Sequence, residues 1–165
     1  MVETHNYQEL GGLSEVAGLA IATLDPAEHS VDLISSRLSY LGFMQEGTGE
    51  PLKALATATE GYRLRLSENP LKHLYLCATE SNIGYMYNSA NNHLESKRFF
   101  EMTRDRWAGF VRTEDGEPVP WNTVHKTNFG RCLVYLNEHD EAARILDESV
   151  QAFKASRPVN WAMLA

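Results

Sequence analysis

The chain has 165 residues, 43% hydrophobic and 22% charged, which suits one domain with its own core and excludes disorder and a membrane-embedded protein. A formal charge of −7 argues against nucleic acid as the main partner, because phosphate binding needs a basic surface. Two cysteines at no zinc or redox spacing, and no Asn-x-Ser/Thr acceptor, point to a reducing, cytoplasmic setting without a disulfide framework.

In chain order, the first element is an apolar run from Val16 to Leu24, broken by Gly18 and Thr23 and too short to span a bilayer. No basic leader with an apolar core and a small-residue cleavage site precedes it. Residues 14–24 read as the second helix of a partial leading repeat, followed by Pro26, with Asp25 or Ser30 as cap for the next helix.

From residue 31 the elements recur. Gly42, Gly84 and Gly130 sit in apolar stretches of helical spacing, such as Leu38, Leu41, Phe43 and Met44, or Ile83, Tyr85, Met86 and Tyr87. Glycine costs about 1 kcal/mol against alanine inside a helix, so its recurrence marks a repeat. Twelve residues beyond each glycine stand Ala54, Ser96 and Ala142; sixteen beyond, Ala58, Phe100 and Leu146; nineteen beyond, Gly61, Thr103 and Ser149. Between glycine and small partner lie the polar turns E-G-T-G-E-P, N-S-A-N-N-H and L-N-E-H-D. The pattern predicts antiparallel helix pairs that approach where glycine faces Ala or Ser, while larger residues one turn away fill the gap.

The resulting division is repeat one over 31–70, repeat two over 73–112, an inserted loop over 113–122, repeat three over 123–157, and the start of a truncated fourth repeat over 158–165. Pro118 and Pro120 stiffen the insert and prevent helix. Trp121 at its end either packs back on a neighbouring helix or stands out as an anchor for a partner.

Small residues at positions 8 and 20 of each pair resemble tetratricopeptide (TPR) repeats, with Leu41-Gly42, Ile83-Gly84 and Phe129-Gly130 at positions 7–8. Tyr87 supplies the aromatic at position 11, where Gln45 and Leu133 depart. The Trp usual at position 4 is replaced by Leu38, Glu80 and Lys126. The 42-residue step and A-T-x-x-N-I-G-x-x-Y over 78–87 resemble the long-helix repeats of kinesin light chains and the arrays carried by STAND-type signalling ATPases. In the fourth repeat Trp161, Leu164 and Ala165 take positions 4, 7 and 8. The resemblance implies an all-α, right-handed solenoid of stacked helix pairs.

Positions 2, 5–6, 9 and 12–13 of each first helix share the face opposite the glycine contact, which lines the concave groove of a stacked array. Asn82 and Asn128 take position 6 there, and a side-chain amide can pair with the backbone of an extended peptide whatever its sequence. Tyr40, Tyr85, Tyr135 and Arg131 would supply side-chain selectivity. The resemblance carries the peptide-gripping role of this asparagine to Asn82 and Asn128; the rival reading makes them hydrogen-bonded struts between repeats. A basic carboxylate clamp is disfavoured, since only Arg131 and Lys126 qualify.

Chemistry is hard to find. Six scattered histidines show no His-x-x-x-His spacing, and no phosphate loop, nucleophile elbow or EF-hand occurs. Lys97, Arg98, Arg104 and Arg106 form one basic patch. The expectation is a non-catalytic protein- or peptide-binding scaffold from a larger cytosolic adaptor or signalling protein, without cofactor, metal, nucleic acid or membrane. The alternative is an oligomerisation module that pairs through open ends exposing Leu19, Ile21, Trp161 and Leu164.

Overall fold

Each turn inside a helix pair ends one helix and turns the chain back by the same backbone device. In a computed structural model of the chain, which describes residues 30–68, 70–112, 116 and 120–156 together with 16, 19–21 and 23, six long helices follow one another. They are α1 (Val31–Gly47), α2 (Pro51–Leu66), α3 (His73–Ser89), α4 (His93–Phe110), α5 (Thr123–Tyr135) and α6 (His139–Ser156). Asp25, the fourth-repeat residues Trp161, Leu164 and Ala165, and most of the insert lie outside the described residues.

Seven residues beyond each recurrent glycine the backbone turns left-handed, at Gly49 (φ 81°), Asn91 (φ 59°) and Asn137 (φ 60°). The next N–H reaches back five residues, Glu50 to Gln45 (2.9 Å), Asn92 to Tyr87 (2.9 Å) and Glu138 to Leu133 (3.0 Å). This is the Schellman closure, which needs a residue tolerant of positive φ, hence Gly or Asn. Starts are equally local. Ser30 accepts from the Leu33 N–H, Asn92 from Glu95 and Asn122 from Val124, while Pro51 opens α2 at a position where its missing N–H costs nothing.

The helices pack as pairs α1/α2, α3/α4 and α5/α6, and each pair stacks on the next. The first helices α1, α3 and α5 also approach backbone to backbone in succession, whereas among the described residues α2, α4 and α6 meet through side chains alone, as where Tyr62 lies edge-on to Phe99 at 6.0 Å and Arg104 reaches Glu141 at 3.9 Å. The first helices therefore line the inner, concave side. The all-α solenoid expected from the repeat is what the chain forms.

The glycine contacts differ from pair to pair. Gly42 behaves as expected: a Cβ placed on it would meet the Ala54 carbonyl at 3.4 Å and the Ala58 Cβ at 4.0 Å. At Gly84 the neighbour is instead the Phe100 ring at 3.1 Å, and at Gly130 it is Leu146 Cγ at 2.5 Å. The residue sixteen positions on thus takes the place expected for the one twelve on. A bulky side chain lies flat on the bare glycine backbone, while Ser96 and Ala142 are buried beside it.

Trp121 packs back. Its ring meets Phe129 edge-on at 5.9 Å and joins the cluster of Cys77, Trp107 and Val111, so the exposed-anchor reading is set aside. The position-4 residue Glu80 is completely buried in α3. Its carboxylate accepts two bonds from Arg106 Nε (2.9 and 3.0 Å) and one from the Tyr62 hydroxyl (3.3 Å), joining α2, α3 and α4. Burial and the Glu80 charge both push the Tyr62 hydroxyl pKa up.

Three outcomes follow from this packing. Chemical denaturation should show Gly42→Ala neutral or stabilising by up to about 1 kcal/mol, from helix propensity. Gly130→Ala should cost about 1–3 kcal/mol, because the methyl must displace Leu146. Equal effects at the two sites would refute the difference in spacing. Arg106→Met alone leaves a buried unpaired carboxylate and should cost about 3–5 kcal/mol, most of it recovered when Glu80→Leu is added; additive losses would contradict a buried pair. Burial holds the His125 pKa down at about 4, beside the edge of Trp107. The unfolded chain takes up that proton nearer the ordinary 6.5, so stability is intact above that value and lost as pH falls toward 4. His125→Gln should flatten the stability–pH curve in that window, measured by thermal midpoint.

Candidate functional site

The inner face holds most of the groups that could meet a ligand. Between α1 and α3 lies an open pocket of about 240 Å³. Tyr40, Phe43, Ser36 and Ser39 form its α1 wall, Tyr75, Ala78, Thr79 and Asn82 its α3 wall, and Arg65 enters from α2. Tyr40 is 73% exposed, an apolar ring kept in water on a helix whose other side is packed. The structure thus brings together two of the residues singled out from the sequence, Tyr40 and Asn82.

The other four sit further along. Tyr85, one turn on from Asn82, is half-buried and tilts against Phe43 with ring centroids 5.7 Å apart. Burial and the nearby Glu46 carboxylate raise its hydroxyl pKa, and the Arg131 charge on α5 acts on it in the opposite sense. Glu46 itself accepts a 2.9 Å bond from the Ser89 hydroxyl. Asn128 is half-buried and Arg131 exposed on α5, outside the pocket. Tyr135, at the end of α5, stacks on His93 at 4.7 Å, and His93 Nδ1 lies 2.7 Å from Asn88 Oδ1. Tyr135 therefore belongs to the turn edge of the array. No hydrogen bond joins the side-chain amide of Asn82 or Asn128 to another described residue.

Sequence reasoning missed Arg65, which is 4% exposed. Its guanidinium pairs with Asp32 at the start of α1 and with Glu68 beyond α2, and Lys72 before α3 bonds the same two carboxylates. The bond to Lys72 is the largest influence that lowers the Asp32 pKa, and the Arg65 charge adds to it. The signal was faint: Asp32 and Arg65 stand 33 residues apart in unlike contexts.

The remaining chemistry is quiet. Burial pushes the Cys77 thiol up to about 12 and raises that of Cys132, so neither is a ready nucleophile. The basic patch is cancelled by partners: Lys97 with Glu138 at 2.6 Å, Arg98 with Glu95 at 3.5 Å, Arg104 with Asp105 at 3.0 Å, and Arg106 with Glu80. Among the described residues no His, Cys, Asp and Glu side chains cluster to hold a metal, and no helix is long and apolar enough to cross a membrane.

No family model and no curated protein matches the chain. Two solved structures do. One is a crystal structure of kinesin light chain nearly identical TPR-like repeats from Podosopora anserina, 18% identical, with a TM-score of 0.65 over 95% of this chain and 71% of that one. The other is a point-substituted form of the same repeats, 15% identical, with a TM-score of 0.69 over 91% and 70%. At these identities the likeness speaks for the fold, and it agrees with the stacked helix pairs described above. In fold, the chain is a TPR-like α-solenoid.

Proposed function

We propose that the chain is a non-catalytic scaffold that holds an extended peptide or protein segment along the face of α1, α3 and α5. On this reading it is part of a larger cytosolic adaptor or signalling protein, built from the repeats 31–70, 73–112 and 123–157 with partial repeats on either side. The observation that carries the reading is the Asn82 amide: it stands in the wall of an open pocket beside the exposed Tyr40 ring and bonds no described residue. Such an amide offers donors and an acceptor to any backbone laid against it, whereas a strut would be engaged already. The pocket is smaller than the roughly 300–1,000 Å³ of small-molecule clefts, a size that suits one side chain of a longer ligand. The TPR-like neighbours support the same class of function.

The test is to select peptides against the wild-type chain and measure affinity and thermal midpoint for the variants. Asn82→Ala and Asn128→Ala should weaken binding by about 1–3 kcal/mol with little change in midpoint, because peptide polar groups lose their partners. A lowered midpoint with unchanged affinity among folded molecules would make the asparagines struts instead.

A further inference from the structure

The pocket wall contains a donor that no described residue uses. Arg65 sends Nη1 to the Asp32 and Glu68 carboxylates and Nη2 to the Asp32 carbonyl, but its Nε–H is buried without an acceptor among the described residues. The half-exposed Tyr75 ring lies over the guanidinium, 5.0 Å from Cζ to centroid. Leaving a buried N–H unpaired costs free energy that a ligand acceptor would recover.

The charge around that donor selects the acceptor. Arg65 and Lys72 face Asp32 and Glu68, two positive charges against two negative ones, and every one of the four is engaged. The rest of the lining is hydroxyl, amide and aromatic, from Ser39, Tyr40, Tyr75, Thr79 and Asn82. A carboxylate or ammonium entering here would lose its water without gaining a free countercharge. A neutral amide would lose little, since Asn82 and the hydroxyls can serve its N–H groups while Nε–H serves its oxygen.

From this we infer that the pocket takes an uncharged amide, a Gln or Asn side chain of the bound segment, whose carbonyl accepts from Arg65 Nε–H once the Tyr75 ring swings aside. The inference rests on the groove reading above and adds its specificity. It also assigns Arg65 as the residue that sets that specificity.

The experiment uses a library of capped peptides in which a fixed aromatic residue is flanked by Gln, Glu or Lys, titrated into the 165-residue chain at low and high salt. The Gln peptides should bind tightest and respond weakly to salt, with Gln→Glu in the peptide weakening binding roughly tenfold. Arg65→Lys keeps the charge but removes the planar Nε donor, and should weaken the Gln peptides roughly three- to tenfold while helicity by circular dichroism is retained. Asp32→Asn leaves Arg65 with surplus charge and should shift preference toward Glu peptides; if that variant does not fold, Glu68→Gln serves the same purpose. A wild-type preference for Glu peptides with steep salt dependence, or an unmoved preference in the charge variants, overturns the amide assignment and leaves the groove reading standing. Binding by no peptide class overturns the groove reading itself.

Discussion

Helices can stack into a continuous array only if their backbones come close, and in this chain glycine decides how close. At Gly84 and Gly130 there is no room for even a methyl group against Phe100 and Leu146 without displacement. A large side chain pressed on bare backbone buries apolar surface on both helices of a pair, and at Phe100 it also reaches the next pair through Phe129, with ring centroids 5.8 Å apart. The Schellman turns then fix the direction in which each second helix returns. The inner face of first helices is a consequence of those two features.

Burying charge is the second constraint. Glu80 is fully enclosed, and Arg65 nearly so. Each is tolerable only because partners surround it: Arg106 and Tyr62 from two other helices for Glu80, and Asp32 from α1 with Glu68 just past the end of α2 for Arg65. Such pairs add little net stability compared with apolar packing, yet they penalise any misregister that separates them. The two clusters also link the first helix pair to the second, through the Tyr62 hydroxyl on Glu80 and through Lys72, just before α3, on Asp32 and Glu68.

The two constraints meet in the pocket between α1 and α3. Packing of the pairs leaves Tyr40 and Asn82 on the inner face, and the charge network leaves Arg65 neutralised but with one donor unspent. On the proposed reading such a groove would recognise shape and hydrogen-bonding pattern, with selectivity supplied by what it does not accommodate. Arg131 and Tyr135, which looked from the sequence like further groove residues, stand apart from the pocket, Arg131 exposed on α5 and Tyr135 stacked on His93.

Local sequence determined the helices, their ends and their pairing, because these depend on residues within a few positions of one another. Ser30, Asn92 and Asn122 cap by their own side chains, and Gly49, Asn91 and Asn137 tolerate the left-handed turn by their own chemistry. The periodic glycines made the solenoid legible, and Tyr40 and Asn82 could be placed on its inner face by helical spacing alone. What the spacing could not show is which side chain lies on each glycine, since Ser96 and Phe100 stand one turn apart on the same helix and only three-dimensional packing chooses between them. Nor could it show that Glu80 and Arg65, polar residues in apolar helices, are interior. Their partners lie 26 and 33 residues away, and a charge can be buried only where the fold brings its opposite within reach.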